Sequence, residues 1–289
     1  MKLTTLTDLS AWEELLNRGF PVSEDESFFD DFPVWKIQDP SIARVGLQDD
    51  SGRWIAAGGL RECTMISSPQ DECIGVVGGI VTDADFRGQG LAGQIVAELL
   101  TIARKRDLAA VILFGSMTPL YQRLGFTPFG RQARIPLHSE FKGNITQQLK
   151  MSDRFPQAIA PILLKRSSGL RITQSDIAWI SAHKNIEWIT TGPEEKPDAF
   201  AAIGKGIDLQ GIVHEVGGDP QAIRNLLCGV AHSSPSFELL ASARLISELG
   251  ITSQEGIVEP IGLAQSLNPR GELLLSEGSP IWFWGIDGA

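Results

Sequence analysis

The segment of this chain with the most chemistry to offer is Asp85-Phe86-Arg87-Gly88-Gln89-Gly90-Leu91-Ala92-Gly93, which lies between a strand-like run and a helical one. Gly88 and Gly90 lack Cβ atoms, so the backbone there can close tightly on a ligand. The helix start that follows offers unpaired N–H donors and the positive end of a dipole, and Arg87 adds a full charge. That combination suits a pyrophosphate. Read literally, Gly88-Gln89-Gly90-Leu91-Ala92-Gly93 also satisfies the dinucleotide fingerprint GxGxxG. That fingerprint needs an acidic residue roughly 20 positions later, at the end of the next strand. The next strand, Ala109 to Phe114, has no acid within or after it. A P-loop fails as well, because no Gly-Lys-Ser/Thr follows. A nucleotide-dependent oxidoreductase is therefore a remote alternative.

The elements that must hold this loop are legible on both sides. Cys73 to Val81 is β-branched and uncharged, as expected of a buried strand. Leu91, Ile95, Leu99 and Ile102 then recur at helical spacing, and Arg104, Lys105 and Arg106 fall in the last turn, where cations suit the helix dipole. Ala109 to Phe114 reads as a short strand, and Thr118-Pro119 starts a brief helix that stops near Gly125. Upstream, Leu9 to Asn17 reads as a helix with Thr7 or Asp8 at its cap. Ala43 to Gln48 and Trp54 to Leu60 read as a hairpin about Asp49-Asp50-Ser51-Gly52, with Arg61 to Ile66 continuing the second arm. The fold class expected is α/β, in the α+β sense of a mixed sheet.

Residues 138–157 are polar and poorly periodic, so a connection is expected there between a first domain, 1–137, and a second, 158–289. In the second half, Ser175 caps a helix to about Lys184, and Phe200 to Gly204 and Gly211 to Val216 form a hairpin. Asp219-Pro220 starts a helix carrying Ile223, Leu226, Leu227 and Val230. Phe237 to Ala241 is a strand, Ala243 to Leu249 a helix, and Ile281 to Ile286 a terminal strand. This order repeats that of the first half and hints at a duplicated fold.

Composition narrows the partners. With 25 Lys and Arg against 35 Asp and Glu in 289 residues, the net charge is −10, which argues against nucleic acid. The longest nearly apolar run, Cys73 to Val81, is far short of the roughly 20 residues that span a bilayer. Met1 to Asn17 carries Asp8, Glu13 and Glu14 and does not fit a secretory leader, so cytoplasm is expected. Cys63, Cys73 and Cys228 have neither disulfide nor zinc spacing, and His138, His183, His214 and His232 are scattered; no metal is expected. Homo-oligomer formation is left open.

Two segments together resemble the GNAT superfamily of N-acetyltransferases. Arg87-Gly88-Gln89-Gly90-Leu91-Ala92 is similar to its Arg/Gln-x-x-Gly-x-Gly/Ala signature, and Tyr121-Gln122-Arg123-Leu124-Gly125-Phe126 is similar to its Tyr-x-x-x-Gly-Phe segment. The resemblance covers about residues 1–137, most firmly 73–130. It implies a GNAT fold whose sheet splays beneath acetyl-CoA. Arg87, Gly88, Gln89, Gly90, Leu91 and Ala92 would hold the pyrophosphate, and backbone groups near Ile80, Val81 and Thr82 would pair with the pantetheine. Asp83 and Ala84 stand where the family often has His-Pro, and Ser116 is the nearest polar substitute for a frequent Asn. The second half resembles the degenerate GNAT-like domain of tandem members, including the enhanced intracellular survival acetyltransferases. Its Gly217-Gly218-Asp219-Pro220 has no preceding Arg or Gln, and Asp219 would repel phosphate.

What the resemblance implies chemically is transfer of acetyl from acetyl-CoA to a primary amine. Tyr121, the chain's only tyrosine beside 13 Phe and 7 Trp, is the expected general acid for the departing thiolate. Without that resemblance, the same residue reads as a half-buried core tyrosine. N–H groups near Gly78 and Gly79 would hold the thioester oxygen. Glu72 is the first candidate for the base, with Asp71, Glu62 and the terminal carboxylate of Ala289 behind it. Glu24, Asp25, Glu26, Asp30 and Asp31, interleaved with Phe28, Phe29 and Phe32, would favour a cationic small-molecule acceptor. The alternative is a non-catalytic acyl-CoA-binding or regulatory module.

Overall fold

The computed structural model describes residues 1–20, 22, 26–67, 70–115, 119–143, 148–206, 208–252, 256–276 and 278–288. Its strands are β1 (Lys2–Thr5), β2 (Ile42–Gln48), β3 (Trp54–Met65), β4 (Glu72–Thr82), β5 (Ala110–Leu113), β6 (Thr127–Phe129), β7 (Gln132–Pro136), β8 (Lys150–Ser152), β9 (Glu187–Thr191), β10 (Ala199–Ile203), β11 (Ile212–Gly218), β12 (Glu238–Ala241), β13 (Ile257–Glu259) and β14 (Gly262–Ser266). The helices are α1 (Leu9–Gly19), α2 (Phe28–Asp31), α3 (Leu91–Lys105), α4 (Pro119–Arg123), α5 (Leu137–Glu140), α6 (Ala160–Leu163), α7 (Asp176–Ile180), α8 (Pro220–Ser233), α9 (Ala243–Glu248) and α10 (Pro269–Leu274). Contacts group them into two units, one made of Met1–Gly130 and Gly262–Ile281, the other of Arg131–Ile261 and Trp282–Asp287.

The first unit is a mixed sheet in the order β1-β2-β3-β4-β5-β14-β6, antiparallel except between β4 and β5. The β2–β3 hairpin forms where expected because the Asp49 carboxylate accepts from the Ser51 and Arg53 N–H groups and closes the turn. The Asp8 carboxylate caps α1 by accepting from Ala11 N, and the helix buries Trp12, Leu15 and Leu16. The helical period read from 91–102 is realised in α3, which buries Leu91, Ile95, Val96, Leu99, Leu100 and Ala103 against Leu60, Val77 and Val111 of the sheet. Each such fully buried aliphatic side chain contributes roughly 1.5–3 kcal/mol.

The second unit has the order β13-β7-β12-β11-β10-β9-β8, with β11 and β12 the parallel pair. Its run of hairpin β10–β11, helix α8 and strand β12 repeats β3–β4, α3 and β5. Both units thus have the mixed α/β architecture expected for tandem GNAT-like domains.

The outer strands are distributed differently from expectation. The strand between β5 and β6 is β14, drawn from the end of the chain, and β7, which follows β6 directly, lies between β12 and β13 of the second sheet. Residues 132–136, placed by the sequence in the first domain, therefore pair in the second, and 262–281 return to the first. Exchanging two strands that fill equivalent places leaves both local patterns intact, so nothing local marks it. The expected connection at 138–157 is partly structured, since α5 buries Glu140 against Arg224 and β8 pairs with β9. Ile281 to Ile286 is not a strand. Trp282, Phe283, Trp284 and Ile286 are buried, which makes the run look like one, but the N–H of Trp284 donates to the Asp287 carboxylate rather than to a ladder.

Candidate active site

The β4–β5 ladder covers only Gly75 to Val77 against Val111 to Leu113, so β4 has no ladder partner on that side from Gly78 onward among the described residues. On its other side the register shifts, with Ala57 opposite Val81 and Gly59 opposite Gly78, so that Gly79 and Ile80 together face Gly58. This is a β-bulge, a device that re-aims backbone groups. Gly79 sits at φ +60°, and a Cβ there would come within 2.7 Å of the Trp12 ring, so both conformation and space demand glycine. Among the described residues the strand therefore has backbone N–H and C=O groups without a ladder partner on the side from which β5 has departed. An extended amide chain can pair with them as a strand would.

The loop that follows is tied down at Asp83. Its carboxylate, 6% exposed, accepts from Asp85 N through Oδ1 and from Arg53 (2.5 Å) and Arg18 (3.3 Å) through Oδ2. Burial pushes the carboxyl up, but hydrogen bonds from Arg53 and the Asp85 N–H and the charges of Arg53 and Arg18 outweigh it and hold Asp83 below the ordinary range. In the sequence alone Asp83 stands only as a departure from His-Pro. Its partners lie 30 and 65 positions away, and no local signal announces them. With Leu15, Gly19, Thr82, Ala84 and Asp85, these groups line a cleft of about 440 Å³.

Arg87 is exposed and donates through Nε to Thr82 O. Gly88 and Gly90 have φ of +78° and +75°, and a Cβ built on either would meet nothing within 4 Å, so the space beside the loop is open. The start of α3 has no side-chain cap, whereas α1 and α8 are capped by Asp8 and Asp219. The first-turn donors of α3, at Leu91, Ala92 and Gly93, are thus left for an anion, and the loop fits a pyrophosphate. Substituting alanine for Gly90 is expected to weaken acetyl-CoA binding at least tenfold in a calorimetric titration, because an L-residue at that φ costs about 1–2 kcal/mol and would pull the loop from its shape. Arg87→Ala is expected to weaken binding several-fold while leaving the thermal melting curve unchanged.

Helix α4 lies beside this loop, since a Cβ on Gly93, in the first turn of α3, would meet Leu120 at 3.3 Å. Tyr121 is half-buried against the α3 core, with its ring edge-on to Phe126 at 6.1 Å. Its carbonyl accepts from Leu124 N and Phe126 N, which fixes the turn after the helix. Burial alone raises the phenol above its ordinary 10.0, so it is fully protonated at neutral pH. Helix α4 and the start of α3 that follows the loop are therefore neighbours.

The carboxylates expected to serve as base do not join them. Glu72 opens β4, seven residues before Gly79 and roughly 23 Å from it along the strand, and it pairs with Arg270 and accepts from Gln70. Asp71 precedes it, and Glu62, opposite Gly75, pairs with Arg106. The Asp30 carboxylate accepts from Ser27 N and caps α2, with Phe28 and Phe29 buried beneath. Ser116, Glu24, Asp25 and Ala289 lie outside the described residues.

The second unit keeps the shape of this site without its chemistry. The bulge recurs at His214, with Ala202 opposite Glu215 and Ile203 opposite Val213, and the parallel ladder ends at Val213 and Leu239. But Asp219 accepts from Gln221 N and Ala222 N, the donors that α3 leaves free. Gly285 also packs on His214 so closely that a Cβ would come within 2.3 Å of the ring. Burial and the Lys205 charge hold His214 at about 3, so it is neutral. Among the described residues no cluster of three or more His, Cys, Asp or Glu side chains is arranged for a metal, and no helix is long and apolar enough to cross a membrane.

The chain is similar to known acetyltransferases in sequence over its first part and in fold over most of its length. Residues 1–129 match the family profile described as an acetyltransferase (GNAT) domain. The glucosamine 6-phosphate N-acetyltransferase of Trypanosoma brucei brucei is 35% identical over 66 residues, a stretch that is 22% of this chain and 45% of that relative's length. The GCN5-related N-acetyltransferase of Kribbella flavida superposes with a TM-score of 0.66 at 14% identity, covering 95% of this chain and 73% of its own. One from Anabaena variabilis gives 0.66 at 13% identity, covering 92% and 73%. At these identities the solved structures establish the fold, and they do so across both units.

Proposed function

We propose that the first unit transfers acetyl from acetyl-CoA directly to a primary amine, with Tyr121 as general acid. The observation that carries this reading is the coincidence of three features at one end of β4: the strand loses its parallel partner, it bulges at Gly79, and it leads into an uncapped, glycine-lined helix start beside α4. Arg87 to Ala92 hold the pyrophosphate of the donor, and backbone groups of Ile80, Val81 and Thr82 pair with the pantetheine. N–H groups at the bulge near Gly78 and Gly79 receive the oxygen of the tetrahedral intermediate.

In the reaction the neutral amine nitrogen attacks the thioester carbon, a C–N bond forms and the C–S bond breaks. The departing thiolate takes the Tyr121 phenol proton, and the nitrogen loses its own proton to water. Glu72 is not assigned that proton, because of its distance from the bulge. The second unit binds no acetyl-CoA and supports the first. The named activity of the trypanosomal relative favours an amine on a small molecule as acceptor.

Release of free CoA thiol from acetyl-CoA, measured across a panel of amino sugars, polyamines, amino acids and peptide N-termini, tests the reading. Thiol release that depends on one class of amine is expected. Tight acetyl-CoA binding with no release for any of them would favour the non-catalytic acyl-CoA-binding alternative.

A further inference from the structure

Strand β14 carries Gln265, 144 positions beyond Tyr121 in sequence (265 − 121), to the turn that ends α4. Gln265 stands opposite Val111 in the β5–β14 ladder and shares a sheet face with Leu263, which is buried in the α3 core. Its amide nitrogen lies against Gly125: a Cβ on that residue would come within 2.8 Å of Gln265 Nε2. Gly125, at φ +87°, is the turn residue across which Phe126 N reaches back to Tyr121 O. The other end of the same amide, Oε1, is buried and accepts no hydrogen bond among the described residues.

A buried amide oxygen without a donor destabilises the folded state, so hydrogen bonding does not explain what glutamine does here. Its contact does: the side chain fills the space between sheet and turn, and the turn is what holds the helix bearing the phenol. We propose that Gln265 is a positioning residue for Tyr121, propping the Gly125 turn from the sheet side and so setting where the phenol points. This rests on the reading of Tyr121 as the general acid. It also gives the exchanged strand a part in the chemistry, because the residue under the α4 turn comes from a segment that follows residues 131–261 of the second unit in sequence.

Tyr121 is the only tyrosine, so ring-¹³C-tyrosine labelling of the full chain gives a single NMR signal that reports this phenol directly, with no substrate present. In Gln265→Ala, that signal is expected to move at neutral pH and its titration midpoint to fall toward 10.0 as water reaches the ring. Burial alone raises the wild-type value, so loosening the turn must lower it. In an amine-transfer assay the same variant is expected to lose about tenfold in kcat with KM for acetyl-CoA unchanged, the pattern of a misplaced group rather than a lost binding contact. Gln265→Met, which keeps the length without the amide, is expected to restore the wild-type signal and titration. A Gln265→Ala chain that is folded by circular dichroism and has the wild-type signal and midpoint overturns the proposal. If signal and midpoint move while kcat stays at the wild-type rate, the positioning stands and the general-acid role of Tyr121 falls.

Discussion

Replacing Tyr121 by Phe is expected to lower kcat for acetyl transfer by about 10²–10³-fold while leaving the affinity for acetyl-CoA within twofold of wild type. The phenol is held half-buried by packing on Phe126 and the α3 core, and a phenylalanine ring keeps all of those contacts. Among the described residues its hydroxyl makes no hydrogen bond, so removing it leaves no partner stranded. Thermal stability should therefore stay close to wild type, and the loss should fall on the chemical step. Rapid-quench measurement of a single turnover separates that step from product release. A variant that turns over at the wild-type rate would remove Tyr121 from the mechanism.

The second large effect concerns the end of the chain. A protein stopped after Ile261 lacks β14 and α10, and β6 then has no neighbour in the sheet. Leu263, Ala264 and Leu274 leave the core, and with them go the ladder bonds to β5 and β6, the Asn268 hydrogen bond to Leu108 O and the Arg270 pairs with Asp107 and Glu72. At roughly 1.5–3 kcal/mol for each large aliphatic side chain, with two ladders besides, the loss is comparable to the whole stability of a domain, about 5–15 kcal/mol. The truncated chain is expected to show no protection of the β5 amides in hydrogen exchange and no acetyl-CoA binding. Were residues 1–137 a self-contained domain, as their sequence pattern reads, both properties would survive.

That contrast shows where the sequence is informative. Features built from neighbouring residues are legible: the Asp49 turn, the α3 period, the bulge glycines and the open loop each depend on a few consecutive side chains. The β14 strand is five residues, Gly-Leu-Ala-Gln-Ser, whose alternation is too weak to stand out and whose partners lie more than a hundred positions away. The Asp83 triad is equally silent, because two arginines and an aspartate scattered over 65 positions carry no spacing rule. The same holds for buried Arg166, which bridges Glu215 and Asp287 and fastens the 282–287 segment that reads as a strand. Glu72 fails for a related reason. Strand alternation gives the face of a side chain, whereas distance from the bulge is set by where the register against β3 shifts, and that depends on long-range pairing.

In the proposed function one unit of this chain holds acetyl-CoA at the 87–92 loop and the other does not. Calorimetric titration of acetyl-CoA into the 289-residue chain tests it most directly. One site per chain at micromolar affinity or tighter, weakened at least tenfold in Gly90→Ala and unaltered in Asp219→Ala, is the predicted result. No binding by the folded protein, or two sites per chain, would contradict it.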